Sequence, residues 1–236
     1  AEGHDKQFHE NIKKIIEKKK PKDEIFEDIT SRHVNQYYSG IVKGLTAKVF
    51  RTYLATAVVK KYLVEHDNIK GKTANEKLYH AKLANLEAAM MCNHKRTIPK
   101  TYELTLQKKR DVLKKLEKEQ VWKKTQEILK KVESTEPKTD TQKKSKTKRI
   151  KTLNQQIKKQ KSKHKERLEK LELQLDLSEK TKDYAIGTSL RNYIDPRVFK
   201  AWTNEVGAEW EKLYTAALQK KFLWVKNEDV EWKNLK

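Results

Sequence analysis

The stretch IKTLNQQIKKQKSKHKERLEKLELQLDL, residues 150–177, decides the architecture that we predict for this chain. Apolar side chains recur in it at steps of three and four residues, which is the spacing of a helix with one apolar stripe. Gln160 and His164 interrupt that stripe in the middle. We therefore expect a long helix that is only weakly apolar and that needs a partner helix. The stripe consists of Ile150, Leu153, Ile157, Leu168, Leu171 and Leu175.

A second thin stripe precedes this helix, and a polar segment containing Pro137 separates the two. Helix, polar turn and helix predict an antiparallel coiled-coil hairpin, a basic arm over residues 105–180. The segment KKSKTKRIK, residues 143–151, lies at its tip. It is compatible with a solvated, disordered tip and with a patch that contacts phosphates. The candidate contacts are Lys143, Lys144, Lys146, Lys148 and Arg149, and the stripe before the turn is Leu113, Leu116, Ile128 and Val132.

The segments on either side of the arm predict a helical body. Hydrophobic residues make up 36% of the chain, and there are only six glycines and four prolines, so we expect a mainly α fold. In GLTAKVFRTYLATAVVKKYL, residues 44–63, helical spacing relates Leu45, Val49, Tyr53, Ala57 and Tyr62. Asp195 and Pro196 are predicted as the N-cap and first residue of a helix. The segment AEWEKLYTAALQKKFLWV, residues 208–225, predicts a further amphipathic helix.

The charge of the chain indicates a polyanionic partner. The formal net charge is +22 at pH 7, which favours nucleic acid. A ribosome-like or membrane-surface basic protein is the alternative. No apolar run approaches the roughly 20 residues that span a bilayer. The single cysteine, Cys92, excludes an internal disulfide framework.

Several kinds of chemistry are not supported by the sequence. The seven histidines and Cys92 show no clustered metal-ligand spacing, and there is no Gly-rich phosphate loop. We therefore expect neither a metal nor a cofactor. Cys92 lies two residues before His94, but nothing marks further members of a catalytic triad, so we favour a packing role for this cysteine.

Three other residues form a more coherent set. Arg51 lies among apolar residues of a predicted helix, His94 follows an Ala-rich helix, and Tyr193 precedes the Asp-Pro helix start. Arginine presents a fork of donors to phosphate, histidine can donate to a second phosphate oxygen, and tyrosine can attack phosphorus. From the residues alone, a structural arginine, a capping histidine and a packed tyrosine remain the alternative.

Three blocks of the sequence resemble the type IB DNA topoisomerases, the eukaryotic and archaeal DNA topoisomerase I. They are GLTAKVFRTY at residues 44–53, CNHKRTIPKTYE at 92–103 and GTSLRNYIDPRVFKAW at 187–202. Their order matches that of the family, and so does a long basic linker between the second and third blocks. The resemblance implies the helical catalytic subdomain of the topoisomerase and tyrosine recombinase fold. It divides the chain into a helical part of the core (1–104), a linker arm (105–180) and a C-terminal domain (181–236).

The resemblance also implies roles for single residues. Tyr193 matches the nucleophile, which forms a 3′-phosphotyrosyl bond and releases a 5′-hydroxyl, so supercoiled DNA is relaxed without ATP or metal. Arg51 and His94 match residues that contact non-bridging oxygens of the scissile phosphate. Asn192 matches an asparagine associated with sensitivity to camptothecin-type poisons, and Thr188 a residue that influences religation. Further candidates for contact with DNA near this site are Lys48, Lys95, Arg96 and Arg191.

The chain departs from the family pattern in three respects. SLRN replaces the usual Ser-Lys-Leu-Asn before the tyrosine, and we expect Arg191 to take over the role of that lysine. Leu54 stands where eukaryotic members tend to have asparagine. The family also needs an upstream arginine and lysine, and none of Lys6, Lys13 and Lys14 has the expected strand-hairpin context. We therefore expect the C-terminal part of the enzyme, impaired alone, with duplex DNA and the N-terminal half as partners.

Two alternatives remain at this point. A tyrosine recombinase shares the chemistry, but recombinases carry His-x-x-Arg where this chain has His94-Lys95-Arg96, and they lack a long arm. A non-catalytic basic coiled-coil protein that binds nucleic acid explains the charge but not the order of the blocks. For the topoisomerase interpretation, we expect an intracellular protein that acts with DNA, in the nucleus of a eukaryote or the cytoplasm and nucleoid of an archaeon.

Overall fold

A computed structural model of the chain describes residues 2–228 and 230–232 and has a mainly α architecture. Short 3₁₀ turns cover Asp67–Ile69, Trp210–Leu213 and Leu223–Asn227. The described residues contain no β-strand, although Lys95 and Tyr184 form an isolated antiparallel bridge. The helices are α1 (Glu2–Ile16), α2 (Ser31–Ile41), α3 (Ala47–Glu65), α4 (Ala74–Met91), α5 (Tyr102–Lys118), α6 (Lys123–Ser134), α7 (Asp140–Lys180), α8 (Ile186–Asn192), α9 (Pro196–Val206) and α10 (Ala216–Lys221).

The chain divides into two compact units, the first ending at Arg51 and the second beginning at Thr52. In the first unit, Thr30 caps α2, because its hydroxyl accepts a hydrogen bond from the backbone N–H of His33. The backbone N–H of Ala47 donates to Asn35 Oδ1 over 3.0 Å. This bond fixes the start of α3. The three-part division of the chain that the resemblance implies stays a prediction.

The core of the second unit gathers α3, α4, α9 and the segments that follow α9. Helix α3 buries Ala55, Val59 and Leu63, whereas Tyr53 is 71% exposed. The predicted helix is present, but the residues that helical spacing relates do not mark its buried face. Residues 54–59 are apolar on almost every side apart from Thr56, so helical spacing alone does not single out one face.

Helix α4 begins with a capping box and brings small residues to its contacts. The N–H of Glu76 donates to Thr73 Oγ1 over 3.2 Å, and the N–H of Thr73 donates to Glu76 Oε2 over 2.9 Å. Ala84 and Ala88 are fully buried on this helix. Small side chains allow close packing, and α4 contacts both α7 and α8.

The start of α9 confirms one local prediction. Asp195 is its N-cap and accepts a hydrogen bond from the N–H of Arg197 over 2.9 Å, and Pro196 is its first residue. Helix α9 ends at Val206 and is capped by Gly207, whose φ of 65° lies in the left-handed region that glycine adopts most easily. Phe199 and Trp202 from this helix are buried in the core.

The single helix predicted over residues 208–225 is wrong. The structure has a 3₁₀ turn, the short helix α10 and a second 3₁₀ turn, with Tyr214 extended at the break. The Gln219 amide donates to the carbonyls of Glu211 (2.8 Å) and Tyr214 (3.1 Å), which satisfies acceptors that the break leaves without helical partners. Burial of Trp210, Tyr214 and Phe222 in one core outweighs helix propensity here.

Helices α5, α6 and α7 form an antiparallel hairpin. Tyr102 Oη donates to the carbonyl of Ser178 (3.1 Å), near the base of the hairpin, and Lys146 Nζ donates to the carbonyl of Glu133 (2.6 Å), near its turn. The first arm of the hairpin therefore runs antiparallel to α7. Leu116, Leu153, Ile157 and Leu175 are buried as expected, whereas Ile128 is 44% exposed. Whether the helices supercoil stays a prediction.

The part of the hairpin before the turn differs from the expected single helix. The part before the turn is two helices, because the chain leaves α5 at Glu119 and starts α6 after Trp122. The Trp122 ring packs edge-on against His164, which is buried on α7, with ring centroids 5.3 Å apart. A tryptophan and a histidine ring thus pack where the apolar stripe of α7 is interrupted, and the helix before the turn is interrupted at the same level.

Of the two alternatives for the basic segment, the disordered tip does not fit the structure. Residues 143–151 are helical and lie within the first turns of α7, and the turn itself is the segment 135–139. Thr139 caps α7, since its hydroxyl accepts from the N–H of Gln142 over 3.3 Å. The cap and the continuous helix that follows it order this basic segment.

Candidate active site

Tyr193 occupies the turn between α8 and α9. Its backbone N–H donates to the carbonyl of Ser189 over 2.9 Å, and the N–H of Ile194 donates to the same carbonyl over 3.2 Å. These two bonds close the end of α8, so the tyrosine is the C-cap residue of this helix. The position of Tyr193 is therefore set by the backbone of a helix end and not by a flexible loop.

A hydroxyl from α3 fixes the other side of the same turn. Thr56 Oγ1 donates to the carbonyl of Tyr193 over 3.5 Å and accepts from the N–H of Asp195 over 3.1 Å. The Asp195 carboxylate binds the N–H and the guanidinium of Arg197, so it is committed to the start of α9. The Tyr193 turn is thus held from both α8 and α3.

His94 follows the end of α4 and is fixed by its backbone. Its N–H donates to the carbonyl of Ala89 over 2.9 Å, and its carbonyl accepts from the N–H of Ala185 over 2.8 Å. The preceding residue, Asn93, has a φ of 53°, which reverses the chain direction after the helix. The His94 loop is consequently attached to the residues just before α8.

The two candidate side chains lie next to each other. The ring centroids of His94 and Tyr193 are 5.2 Å apart, with an angle of 38° between the planes. His94 Nδ1 lies 3.1 Å from Ser189 Oγ. Both rings are half-buried, whereas Ser189 is fully buried. Two residues that are almost one hundred positions apart in the sequence thus share one small site.

An open cleft of about 610 Å³ adjoins this site. Thr188, Arg191 and Asn192 from α8 line it together with Arg96. The cleft therefore collects four of the side chains that we predicted to contact DNA near the site. The carbonyl of Arg191 accepts a hydrogen bond from Lys221 Nζ over 2.7 Å, which links this wall to α10.

The other residues predicted to contact DNA or its scissile phosphate lie outside the contact between His94 and Tyr193. Arg51 and Lys48 are exposed residues of α3 in the first unit, whereas His94 and Tyr193 belong to the second unit. Lys95 is exposed and pairs with Tyr184 through the backbone. Arg96 donates from Nε to the carbonyl of Lys182 (3.1 Å) and from Nη2 to that of Thr181 (3.2 Å), which anchors the C-terminal end of α7.

The basic residues at the start of α7 differ in their contacts and exposure. Lys146 Nζ donates to the carbonyls of Glu133 (2.6 Å) and Thr135 (2.8 Å), and so caps the end of α6. Lys143 pairs with Asp140 over 3.2 Å. Lys144, Lys148 and Arg149 are exposed. Lys146 therefore has a structural function in the hairpin turn, and the other four charges face solvent at least in part.

The base of α7 carries a second cluster of ionisable groups. Tyr79 Oη from α4 donates to the Asp176 carboxylate, and Lys180 Nζ lies 2.8 Å from both groups. The Asp176 carboxylate and the Tyr79 hydroxyl raise the pKa of Lys180 above its ordinary value. This cluster fastens α7 to α4. Within the described part of the chain, no cluster of histidine, cysteine and acidic residues could hold a metal ion, and no helix could cross a membrane.

Sequence reasoning missed Thr56, Ser189 and Asn85. The buried Asn85 on α4 donates to the carbonyl of Ile186 over 2.9 Å and so holds the start of α8. A polar residue on the buried face of an Ala-rich helix was the available signal for Asn85. Thr56 and Ser189 carry no such signal, because small hydroxyl residues are common in helices and turns.

Comparison with known proteins assigns the family. Residues 2–129 match the family model of the eukaryotic DNA topoisomerase I catalytic core, and residues 165–234 match that of the C-terminal topoisomerase domain. DNA topoisomerase 1 of Homo sapiens and that of Chlorocebus aethiops are each 33% identical over 238 residues and cover 97% of this chain. The mitochondrial DNA topoisomerase I of Rattus norvegicus is 32% identical and covers 95% of it.

The chain spans only part of each of these relatives. It corresponds to 29% of the length of the human and Chlorocebus aethiops proteins and to 36% of the mitochondrial rat protein. The blocks that contain Arg51 and His94 lie within the match to the catalytic core, and the block that contains Tyr193 lies within the match to the C-terminal domain. Because the catalytic-core model alone matches more than half of the chain, the chain belongs to the eukaryotic DNA topoisomerase I family.

Proposed function

We propose that this chain carries the nucleophile of a type IB DNA topoisomerase and that its substrate is double-stranded DNA. The single observation that carries the proposal is the contact between His94 and Tyr193, whose ring centroids are 5.2 Å apart. These two residues come from two separate blocks of family-like sequence. Membership of the family supports the same conclusion, and the net charge of +22 supports a polyanionic substrate.

In the proposed reaction, Tyr193 exchanges one phosphate ester for another. The phenolic oxygen forms a bond to phosphorus while the bond from phosphorus to the 5′-oxygen of DNA breaks. The phenolic proton leaves the tyrosine, and the 5′-oxygen takes up a proton to become a hydroxyl. The energy of the ester bond is kept in the 3′-phosphotyrosine, so the 5′-hydroxyl can reverse the attack without nucleotide hydrolysis. Supercoils relax while the strand is open.

The charge that accumulates on the phosphate oxygens needs preorganised donors. His94 is proposed to donate to one non-bridging oxygen, because its loop is held by two backbone hydrogen bonds beside the tyrosine. Arg51 is proposed as a second donor, and this role rests on its match to the family block alone. Further donors come, in this proposal, from the N-terminal half of the same enzyme. The proposed activity on DNA also implies that the protein acts where cellular DNA is.

The wall of the adjacent cleft is proposed to bind the DNA backbone near the broken bond. Thr188, Asn192 and Arg191 offer a hydroxyl, an amide and a guanidinium there, and all three can bind phosphate or sugar oxygens. Lys48, Lys95 and Arg96 add positive charge around the blocks. Contacts of this kind position the duplex and carry no sequence preference of their own.

The test is the formation of a covalent adduct between the chain and DNA. A suicide substrate, nicked so that the short fragment carrying the new 5′-hydroxyl diffuses away, is incubated with the chain and the N-terminal half of the enzyme. We expect an adduct on a denaturing gel from the mixture and little from the chain alone. Tyr193→Phe, which removes one oxygen, abolishes it. His94→Asn slows its formation by about 100-fold or more, the cost of losing one donor to the transition-state oxygens.

Two results would contradict the proposed function. An adduct that forms with the Tyr193→Phe chain assigns the nucleophile to another residue and refutes the proposal. Binding of the duplex without any adduct in either mixture favours a non-catalytic basic protein.

A further inference from the structure

Ser189 touches both halves of the candidate active site. Its backbone carbonyl accepts the N–H groups of Tyr193 and Ile194, at 2.9 and 3.2 Å. Its hydroxyl oxygen lies 3.1 Å from Nδ1 of His94. The residue is 0% exposed. One buried serine thus closes the turn that carries the proposed nucleophile and contacts the ring beside it.

Burial determines the direction of the hydrogen bond to the histidine. A hydroxyl proton without access to water needs an acceptor, because an unsatisfied buried donor costs about 1–3 kcal/mol. Nδ1 of a neutral imidazole is such an acceptor, and it is the partner found for this hydroxyl among the described residues. In the opposite arrangement Nδ1 donates to Oγ, and the serine proton then has no acceptor among those residues. The favoured arrangement leaves the ring proton on Nε2.

We propose that Ser189 is a positioning residue that holds His94 as the tautomer protonated at Nε2. This inference rests on the proposed function for its consequence, because Nε2–H is then the ring atom that donates to a phosphate oxygen. The tautomer matters because an imidazole protonated at Nδ1 presents a lone pair at Nε2, which repels an anionic oxygen. The backbone of Ser189 fixes Tyr193 and its side chain fixes His94, so both groups keep one relative position.

A substitution can separate the two functions of this serine. The bonds to the N–H groups of Tyr193 and Ile194 use the backbone carbonyl and survive in Ser189→Ala. Only the hydroxyl bond to His94 is removed. Alanine is slightly smaller than serine and favours helix, so α8 is expected to remain intact. Ser189→Thr keeps a hydroxyl and is the conservative variant.

The first measurement reads the tautomer directly. Long-range ¹H–¹⁵N correlation spectra of the chain labelled at its histidine rings distinguish protons on Nδ1 from protons on Nε2. Spectra are recorded at about pH 8, where histidine of ordinary pKa is neutral. The His94 signals are identified by their loss in His94→Asn. We expect the Nε2–H form in the unmodified chain, a mixture of tautomers in Ser189→Ala and recovery in Ser189→Thr.

Thr203→Val is the matched control. Thr203 is also 0% exposed in the second unit, but its hydroxyl donates to the carbonyl of Lys200 on its own helix over 3.0 Å. Removing this hydroxyl therefore leaves the His94 signals unchanged. A predominant Nδ1–H form in the unmodified chain overturns the inference, and this outcome does not depend on any variant folding. Unchanged His94 signals in Ser189→Ala overturn it as well.

The second measurement is the rate of adduct formation in the complemented mixture. Ser189→Ala slows single-turnover cleavage by about 10-fold or more, the usual effect of removing a group that orients a functional histidine. Ser189→Thr restores the rate, and Thr203→Val leaves it unchanged. If the unmodified mixture forms no adduct while the ring is protonated at Nε2 as expected, the proposed function fails and the assignment of the tautomer stands. If cleavage occurs but Ser189→Ala cleaves at the full rate, the inference fails and the proposed function stands.

Discussion

At the scale of single residues, the Thr56 hydroxyl joins α3 to the turn that carries Tyr193. It donates to the Tyr193 carbonyl and accepts from the Asp195 N–H, at 3.5 and 3.1 Å. Thr56→Val keeps the shape of the side chain and removes both bonds. We expect the free energy of unfolding to fall by about 1–3 kcal/mol, because two backbone groups in a partly buried turn lose their partner.

Urea denaturation measures this effect, with Thr56→Ser as the matched control. Serine keeps the hydroxyl and should stay closer to the unmodified chain than valine does. A valine variant as stable as the original would show that the turn does not depend on this hydroxyl.

His80 on α4 gives the molecule a stability that depends on pH. Its Nδ1 lies 3.4 Å from Tyr62 Oη, and its ring centroid lies 5.8 Å from that of His66. Burial, followed by the charge of His66, lowers the pKa of His80 in the folded chain, although Glu76 acts in the opposite direction. As the pH falls through about 6.5, the unfolded chain takes up this proton before the folded chain does. Stability therefore declines on the acid side of that value.

Replacement of His80 should reduce that decline. We expect His80→Asn to lose less stability than the unmodified chain when urea midpoints are compared between about pH 7.5 and 5.5, around the ordinary histidine pKa. His9→Asn, at an exposed position, is the control and should follow the unmodified chain. Parallel curves for all three proteins would assign the acid sensitivity to other groups.

At the scale of elements, Arg96 fastens the C-terminal end of the long helix α7. Its guanidinium donates to the carbonyls of Thr181 and Lys182, at 3.2 and 3.1 Å. These carbonyls lie beyond the last helical turn, where a cation also interacts favourably with the helix dipole. We expect Arg96→Ala to speed amide hydrogen exchange in the last turn of α7.

Hydrogen exchange measured by mass spectrometry tests this anchor against two other variants. Arg96→Lys should protect the turn only in part, because an ammonium group lacks the planar fork that binds two carbonyls at once. Arg110→Ala removes an exposed ion pair with Glu179 on the same hairpin and should change little. Equal effects of Arg96→Ala and Arg110→Ala would contradict a specific anchor.

At the scale of the whole molecule, the net charge of +22 predicts DNA binding that depends strongly on salt. Part of this dependence should come from the start of α7. Changing Lys143, Lys144, Lys148 and Arg149 together to alanine should weaken duplex binding and flatten the plot of log K against log [salt]. The slope is expected to change by about 0.9 for each DNA phosphate that the variant no longer neutralises.

The structure refines this experiment by excluding Lys146, which binds two backbone carbonyls of the turn. Its replacement would disturb the hairpin as well as the charge. The control changes the three lysines to arginine, which keeps every charge and should keep the slope. If the alanine variant shows the original slope, the exposed charges at this end of α7 do not contact DNA.

The helical class, the paired helices of the arm and the Asp195–Pro196 helix start could be predicted from the amino-acid sequence, because they depend on local spacing or local capping. The blocks that contain His94 and Tyr193 were recognised by their resemblance to a family. The tertiary structure decided which face of α3 is buried and why residues 208–225 break into short turns. It also decided that Thr56 meets Tyr193 across 137 positions and that His94 meets Ser189 across 95. Such contacts arise when the core closes, because packing over long sequence separations selects among conformations that local periodicity leaves equally acceptable.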